Sequence, residues 1–521
     1  MMREPTLNRS TRGVQSGYAA SSPAPIGGWN AKDPYAAMPI KDAIWLENWW
    51  PTTSEVTVRK GAKYHVTGIT GQVRTLAAYS SPSSQKLFAF TSTAIYDVTN
   101  SGVVGASVYG PISLGDWRHV NFSVAGGSYL IAVNGADNLM LYNGTSWQNI
   151  TNLTTPAITG LATALLDSVC VFKRRLWFVQ KNSMSAWYLP VNQIGGALTE
   201  FPLGQLFNAG GKLLTIATWT VDAGNGADDY AVFITSEGEA AVYKGNDPAS
   251  STDWSLVGVY YIGQPVGKKS VFKFGGDLFI ITQTGLYPLS KALLSATVNR
   301  DIAVSNKIDL IFSQSASVYG NYYGWEGVVF PMENMVLVNV PTIEGTQAKQ
   351  LVMNTITGAW ALFSNWKAIC WETLGNKLFF GANGYVAQAM VGANDFGENI
   401  IAIAKTAFNY YNTKFNKHFK LIRPVIHSSS AVNVEVGADV DFASGDFDTS
   451  IVSFASPLDF VWDTAVWDSG IWGGDSSVRK EWRTIFTYPG FCASLRLRIA
   501  SKDIIIGWSS TDILYQKGGV L

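Results

Sequence analysis

The sequence has little charge, no paired-cysteine motif and no long apolar run. Lys plus Arg and Asp plus Glu number 38 each among 521 residues, so the formal net charge is zero and charged residues make up only 15% of the chain. This balance lacks the basic excess of a general nucleic-acid binder. No apolar run reaches the roughly 18 residues that a membrane helix needs, and the polar first residues do not resemble a signal peptide. We therefore expect no membrane-spanning segment.

Cysteine is scarce as well. Cys170, Cys370 and Cys492 are odd in number, far apart and outside any C-x-x-C motif. Each lies in an apolar, strand-like context. We therefore expect free, buried thiols in a protein made in a reducing cytoplasm.

Signals for catalysis or metal binding are also weak. Residues 263–270, GQPVGKKS, differ from a phosphate loop because the glycines are one residue too close and a strand-like VFKF follows instead of a helix. The acidic loops 222–229 and 439–448 do not match the twelve-residue calcium loop, and polar hairpin tips are the simpler interpretation. We predict no catalytic residue, no cofactor and no metal site. The histidines lack metal-binding spacing and are interpreted as surface or capping residues: His65, His119, His418 and His427.

Glycine, aromatic residues and an internal repeat are what the chain does have. The 50 glycines and 19 tryptophans suit short strands joined by tight turns. Residues 277–289, DLFIITQTGLYPL, predict a strand, a turn and a strand. Residues 86–98, KLFAFTSTAIYDV, align with them without a gap, so that Thr91 matches Thr282. Further copies begin at Leu130, Leu176, Val232, Val336 and Leu378.

The repeat predicts an all-β fold whose main part, residues 62–404, is a β-propeller. The copies recur at intervals of about 40 to 60 residues, which is the range of four-stranded propeller blades. One hairpin cannot bury both of its faces, whereas stacking in a ring buries them and leaves few exposed edges. We expect about seven blades, with six to eight possible, because the opening strand could complete the last blade. Tryptophans that follow turns, Trp147 and Trp360, are expected to wedge between neighbouring sheets.

The ends of the chain differ from the repeat. Residues 405–521 predict a C-terminal antiparallel β-sandwich-like domain, since Leu495, Leu497 and Ile499 alternate with arginines. Residues 1–24 are polar and are expected to form a flexible arm. Residues 25–61 form an irregular, aromatic-rich segment expected to pack near the C-terminal domain, and Asp42 there could cap one or two helical turns.

Two regions suggest contacts with partners. In VWDTAVWDSGIWGG, a spacing of five residues fits neither a helix nor a strand, so Trp462, Trp467 and Trp472 could form a ridge against their own sheet or a partner. Residues 408–423 interleave basic and aromatic residues. They could bind single-stranded nucleic acid, or form a strand with Lys414 and Lys420 in solvent and Phe415 and Phe419 in the core. The candidate contact residues are Trp29, Trp49, Trp50, Lys414, Lys417, Lys420, Arg423, Trp462, Trp467 and Trp472.

Motifs near both ends resemble those of the tail nozzle (tail tubular protein B-like) family of short-tailed phages, the podoviruses. The C-terminal motifs are K-x-x-K-x-I-R-P at 417–424, V-x-V-x-V-G-x-D-V-D-F at 432–442 and the closing IIGWSSTDILYQKGGVL. Trp29 stands where the family pattern has leucine. The N-terminal motifs are P-I-G-G-x-N at 25–30, Asp33-Pro34, Met38-Pro39, Asp42-Ala43, N-W-W-P at 48–51, and Val56 with Arg59 and Gly61.

This resemblance implies a structural virion protein and no enzyme. It implies a homohexameric ring below the portal and the head-to-tail adaptor, which lines the DNA ejection channel and touches genomic DNA transiently and non-specifically. It also implies an anchor for tail fibres or spikes, and a location in the virion tail after assembly in the host cytoplasm. The alternatives are a tail-associated glycan-binding or depolymerase β-propeller and a cellular kelch-like scaffold.

Overall fold

The computed structural model describes residues 17–222, 227–292, 300–430, 432–443, 451–453, 477–479, 481–485 and 487–518. Within these residues, seven small sheets follow one another around a closed ring, and a second β domain is attached to the ring. The predicted all-β fold with a β-propeller of about seven blades is therefore confirmed.

The chain enters through five strands, three of which pair with its distant C-terminal part. The prediction of helical turns after Asp42 is wrong, because this segment lies extended between strands of other regions and takes its hydrogen bonds from them. The flexible-arm prediction is also wrong for residues 18–23, which pair with the last strand of the chain. The five strands are β1 (Tyr18–Pro23), β2 (Gly28–Trp29), β3 (Asp42–Glu47), β4 (Trp49–Pro51) and β5 (Val56–Val58).

The first three blades follow β6 (Ala62–Gln72). Blade 1 has the strands β7 (Thr75–Ser80), β8 (Gln85–Phe90) and β9 (Ile95–Asp97), after which β10 (Gly102–Val103) pairs with β6. Blade 2 has the strands β11 (Arg118–Val124), β12 (Gly127–Val133), β13 (Leu139–Tyr142) and β14 (Trp147–Ile150). A short pairing of β15 (Ile158–Thr159) with β19 (Gly196–Ala197) and a 3₁₀ helix (Thr163–Leu165) flank blade 3, whose strands are β16 (Leu166–Phe172), β17 (Arg175–Gln180), β18 (Ser185–Tyr188) and β20 (Thr199–Pro202).

Blades 4 to 7 continue the ring. Blade 4 has the strands β21 (Leu213–Asp222), β22 (Ala227–Thr235), β23 (Glu239–Lys244) and β24 (Ser255–Tyr261), and blade 5 has β25 (Val271–Phe274), β26 (Asp277–Thr282) and β27 (Gly285–Pro288). Blade 6 has the strands β28 (Glu326–Phe330), β29 (Met335–Ile343), β30 (Gln347–Asn354) and β31 (Trp360–Phe363), with a 3₁₀ helix at Pro331–Glu333. Blade 7 begins with β32 (Cys370–Leu374) and β33 (Lys377–Ala389).

A helical insertion, which the repeat pattern did not predict, separates blades 5 and 6. Its longest element, α2, buries Phe312 and Ala316, four residues apart and hence on one face. The insertion contains α1 (Leu289–Ala292), two 3₁₀ helices (Arg300–Ile302 and Asn306–Ile308) and α2 (Asp309–Tyr319).

The first strand of the propeller closes the ring. β6 pairs antiparallel with β33, so that Ala62 lies opposite Ala389 and Val66 opposite Val386. The two ends of the repeat region thus share blade 7, and the ring cannot open without breaking this ladder of backbone hydrogen bonds.

The aligned threonines show why the repeat has its sequence. Thr91, Thr235 and Thr282 are fully buried at the turn between the second and third strands of their blades. Each hydroxyl donates to a carbonyl oxygen across the turn, at 3.1, 3.2 and 3.0 Å respectively. The hydroxyl therefore takes the place of a backbone partner inside the propeller, where a bare carbonyl would be costly. All seven predicted copies begin in the second strand of a blade.

The apolar cores lie between neighbouring blades. Trp147 of blade 2 packs edge-on against Phe88 and Phe90 of blade 1, with ring centroids 5.0 and 5.5 Å apart. Trp254 of blade 4 stacks on Trp177 of blade 3 at 5.6 Å. The contacts of Trp147 confirm the wedge predicted for it, whereas the indole nitrogen of Trp360 donates to the carbonyl of Val304 in the helical insertion. Contacts of this kind make each blade depend on the next for burial.

The second β domain consists of two sheets. In one, β5 joins β4 to the last strand, β41, in the order β38-β35-β41-β5-β4. The other contains β3 between β31 of blade 6 and β34, followed by β40, β36 and β37, so that one 10-stranded sheet runs from the propeller into this domain. The strands are β34 (Ile400–Thr406), β35 (Lys417–Ser428), β36 (Asn433–Val440), β37 (Ile451–Ser453), β38 (Ser477–Arg479), β39 (Arg483–Thr484), β40 (Ala493–Ser501) and β41 (Ile506–Lys517).

Gly61 gives a direct test of how tightly the entry segment is packed. A Cβ atom at Gly61 would lie 1.7 Å from the carbonyl oxygen of Asn394, whereas a Cβ atom at Gly105 would meet nothing within 4 Å. We expect Gly61→Ala to lower the free energy of unfolding by about 1–3 kcal/mol, measured by urea denaturation. Gly105→Ala is the matched control and should leave the midpoint unchanged. Equal stability of the two variants would contradict this packing.

Candidate functional site

The candidate site is the place where the entry segment, blade 6 and the second β domain meet. We call it the joint and define it by Asn48, Arg59, Ser364, Trp366 and Asp395. The Arg59 side chain is fully buried, and its two terminal nitrogens pair with the two carboxylate oxygens of Asp395 at 3.0 and 2.6 Å. A buried pair of this kind stabilises a protein only when its remaining polar atoms are also satisfied.

Arg59 meets that condition. Its Nε donates to Asn48 Oδ1 at 2.8 Å, and its terminal nitrogens also donate to the carbonyl oxygens of Ser364 at 2.8 Å and Lys60 at 3.0 Å. Together with the two bonds to Asp395, these engage all five N–H donors of a guanidinium. The group also lies 4.4 Å from the centre of the Trp366 ring, in cation–π contact.

Asn48 extends the joint into the second domain. Its φ of 57° is in the left-handed region, where Asn is favoured over most residues. Its amide nitrogen donates to Ser364 Oγ at 2.9 Å and to the carbonyl of Ile401 in β34 at 2.8 Å, while its amide oxygen accepts from the backbone N–H of Ser364. One side chain thus ties the β3–β4 turn to the end of blade 6 and to β34.

A second buried cluster anchors the entry segment to the helical insertion. Asp42 accepts hydrogen bonds from Asn30 at 2.8 Å and from Lys307 at 2.8 Å, and Lys307 also donates to the carbonyl of Gly27. Gly28 has a φ of 81°, and a Cβ atom there would lie 2.6 Å from the backbone nitrogen of Trp360. Gly28, Asn30 and Asp42 of the N-terminal motifs therefore serve close packing, whereas Pro34 and Pro39 are exposed.

The three N-terminal tryptophans predicted as candidate partner contacts are covered by the chain itself. Trp29, Trp49 and Trp50 are 2%, 0% and 8% exposed. Trp49 packs on Trp508 of β41 with ring centroids 5.8 Å apart, and Trp50 packs on Phe363 of blade 6 at 6.0 Å. In the single chain these side chains hold the two domains together. Trp462, Trp467 and Trp472 lie outside the described residues.

The basic and aromatic segment before β35 is only partly as predicted. Phe419 is buried, but the prediction that Phe415 faces the core is wrong, because β35 begins at Lys417 and the preceding turn leaves Phe415 52% exposed. Lys414 is exposed and Lys420 half-buried. Arg423 is half-buried, and its guanidinium pairs with Asp512.

Lys417 is a buried anchor rather than a surface cation. Its ammonium group donates to the carbonyl oxygens of Thr413 at 2.7 Å, Phe415 at 3.0 Å and Phe491 at 2.6 Å. Loss of solvent lowers the pKa of Lys417. Three carbonyl acceptors use all three ammonium protons, so the side chain closes the turn before β35 and offers no donor to a phosphate.

Two of the acidic side chains considered for calcium, Asp229 and Asp439, have other partners, and residues 223–226 and 444–448 of these loops lie outside the described residues. Asp439 is 5% exposed and pairs with Lys405 and Arg496. Asp229 pairs with Lys173 at 3.2 Å and accepts from the Thr220 hydroxyl. Across the described ranges, no group of three or more His, Cys, Asp or Glu residues is placed to hold a metal ion.

A cavity of about 250 Å³ lies on the propeller axis, lined by the first strands of blades 2 to 6. His119 on β11 pairs with Glu372 of blade 7 at 2.8 Å, so its interpretation as a surface or capping residue is wrong. Lys269 pairs with Glu326 at 3.1 Å. Residues 271–274 are a strand, as expected when the phosphate loop was rejected. Sequence analysis missed the charged groups of this cavity, since the repeat alignment carried no signal for which strand faces the axis.

Comparisons with known proteins add little beyond the fold. No protein-family model matches the chain. No curated protein matches it either. The computationally designed Ika8 protein aligns with a TM-score of 0.37 at 10% identity over 63% of this chain and 100% of its own. BBS1N, solved in complex with ARL6DN, aligns with a TM-score of 0.38 at 9% identity over 64% and 97%. Alignments this weak carry no functional argument, and the propeller follows from the strand pairing.

In the described part of the chain, no helix has the length and apolar character needed to cross a membrane.

Substitutions of Arg59 test how much the joint contributes to the stability of the folded chain. Arg59→Met leaves the Asp395 carboxylate buried without its cation, and we expect a loss of about 3–5 kcal/mol in the free energy of unfolding. Arg59→Lys should also destabilise the protein, because an ammonium cannot reproduce the fork of five donors. Chemical denaturation of the purified chain measures both effects.

The control is a pair at the surface. Lys32 and Asp301 lie 3.2 Å apart with side chains 38% and 76% exposed. Lys32→Met should cost no more than about 1 kcal/mol. A loss for Arg59→Met as small as that for Lys32→Met would show that the joint contributes little to stability.

Proposed function

We propose that this chain is a structural virion protein that forms the tail nozzle of a short-tailed phage. The observation that carries the proposal is where the motif residues lie. The N-terminal and C-terminal segments that resemble the nozzle family are far apart in sequence, yet β4 and β5 join the sheet of β41, and β3 pairs with β34. Asn48 and Arg59 of the N-terminal motifs belong to the joint, and Trp49 packs on Trp508 of the closing motif. Motif residues from the two ends that meet in this way support a shared architecture.

The mechanical character of the fold also supports the proposal. The sheet of blade 6 continues through β3 into the second domain, so no flexible linker separates the two parts. The closed ring adds a second constraint, because every blade packs on two neighbours. A rigid subunit suits a wall whose function is to hold its shape while DNA passes.

The chemistry of the axial cavity favours a structural role over a catalytic one. Glycoside hydrolysis uses two carboxyl groups that flank the scissile bond. Glu326 and Glu372, the carboxylates beside the cavity, are each paired with another side chain, Glu326 with Lys269 and Glu372 with His119. The formal net charge of zero also suits a channel that DNA must leave, since each phosphate contact adds affinity that slows transit.

In this proposal six copies form a ring in the virion tail, after assembly in the host cytoplasm. The ring extends the ejection channel below the portal and the head-to-tail adaptor, and its flank anchors fibres or spikes. Contact with genomic DNA is transient and non-specific. The alternative is a tail-associated glycan-binding or depolymerase propeller.

Light scattering after size-exclusion chromatography separates the two functions. We expect the purified chain, mixed with the adaptor ring, to form a complex that contains six copies of the 56.5 kDa chain. The chain alone is the matched control for self-association. A lasting monomer that does not bind the adaptor and that cleaves host polysaccharide would overturn the proposal in favour of the depolymerase.

A further inference from the structure

The axial cavity carries more positive than negative charge. Its lining includes Arg118 of β11, Lys269 and Lys273, against the single carboxylate of Glu326. That carboxylate is already fully engaged, since one oxygen pairs with Lys269 at 3.1 Å and the other accepts from the backbone N–H of Trp371 at 2.9 Å. Arg118 and Lys273 are therefore not paired with this carboxylate, and the charges of Asp167 and Asp229 act on them only from outside the lining.

Arg118 is the group that most needs a partner. Its Nη2 atom is shielded from solvent and has no hydrogen-bond acceptor among the residues that the structure describes. Burial lowers the pKa of Arg118, and the charge of Glu326 opposes this effect only in part. A guanidinium is more weakly hydrated than an ammonium, but leaving a buried donor unsatisfied is still costly.

The cavity offers further polar groups and a route to solvent. The hydroxyls of Ser168 and Thr215, which line it, lie 3.2 Å apart on β16 and β21, so one donates to the other and the proton left free by this bond can turn toward a bound group. Lys273 is exposed to solvent and also lines the cavity, so a small solute can reach it. The volume of about 250 Å³ exceeds what one water molecule needs, roughly 30 Å³.

We propose that the axial cavity binds one small oxyanion of the phosphate class, held by Arg118 and Lys273 with help from the hydroxyls of Ser168 and Thr215. The fork of N–H donors on an arginine can bond to two oxygens of such an anion at once, whereas a water molecule offers only one oxygen. Charge-assisted hydrogen bonds are also stronger than hydrogen bonds between neutral groups. Chloride has the charge but lacks separate acceptor oxygens for several donors.

A bound oxyanion would add a charged link among four neighbouring blades, beside the apolar packing and the polar pairs that already connect them. Arg118 belongs to blade 2, Ser168 to blade 3, Thr215 to blade 4 and Lys273 to blade 5. A ligand that touches all four binds the closed ring and not the unfolded chain, so it stabilises the ring by mass action. This inference does not depend on the proposed function.

Isothermal titration of the full chain with inorganic phosphate tests the proposal, in parallel with sodium chloride at matched ionic strength. We expect one phosphate per chain and a rise in the thermal unfolding midpoint of roughly 2 °C or more in saturating phosphate, with no such rise in chloride. Sulfate should behave like phosphate, since it has the same tetrahedral set of oxygens.

Three variants test whether phosphate binds in the axial cavity. Arg118→Met should bind phosphate at least about 10-fold more weakly, and it should unfold at the same or a higher temperature than the parent in phosphate-free buffer, because it removes a buried unpaired charge. Lys273→Met, at an exposed position, should also weaken phosphate binding. It provides the test of the site if Arg118→Met does not fold. Arg174→Met changes an exposed arginine at a turn of blade 3, outside the cavity, and should bind like the parent.

Three results would overturn the proposal. One is a cavity that holds water only, so that phosphate and chloride give the same thermal midpoint. Another is phosphate binding that Arg118→Met and Lys273→Met leave intact. The third is binding of several phosphates per chain that vanishes with added salt, which would place the anions on surface lysines.

Discussion

The structure depends on one buried ion pair, between Arg59 and Asp395. It lies where the entry segment passes from the second domain into the ring, and Asn48 and Trp366 complete its surroundings. A buried charge that loses any of these partners destabilises the folded chain. The entry segment, blade 6 and the second domain are therefore held in one relative arrangement. This explains why a stretch with few regular elements contains so many residues of restricted type. The backbone at position 48 is left-handed, which favours Asn. Arg59 requires an acceptor for every donor, and position 61 has no room for a side chain.

The propeller and the second domain are bound by two different kinds of interaction. Between blades the contacts are mainly apolar and aromatic, as where Trp147 meets Phe88 and Phe90. Such contacts tolerate exchange among side chains of similar volume. Between the ring and the second domain the contacts also include directional hydrogen bonds, such as that of Asn48 to Ile401, and the strand β3, which lies between β31 and β34 in one continuous sheet.

Sequence patterns predicted the ring well and the charged groups within it poorly. The buried threonines at equivalent turns and the apolar second strands repeat, so the blades could be aligned and counted from Thr91 and Thr282. The prediction from local propensity was wrong at residues 42–47. A capping Asp and several aromatic residues suggested a helix there, but distant strands on both sides imposed an extended backbone. Local propensity also failed for Lys417 and His119, since a Lys or His beside aromatics is usually at the surface and only the folded chain brings the three carbonyl oxygens or Glu372 to them. The helical insertion after blade 5 has no counterpart in the other repeats, so no alignment of repeats could reveal it.

The pairing of β6 with β33 has a consequence for synthesis. β6 leaves the ribosome before any blade, but its partner on the inner side of blade 7 is made more than 300 residues later. At synthesis rates of about 5–20 residues per second, this strand waits on the order of tens of seconds with an open edge. Early blades can stack on one another meanwhile, yet the ring gains its full cooperativity only when the last blade arrives. Nascent chains of this kind benefit from a chaperone that covers the waiting edge, because β10, the strand nearest in sequence, pairs with the opposite edge of β6.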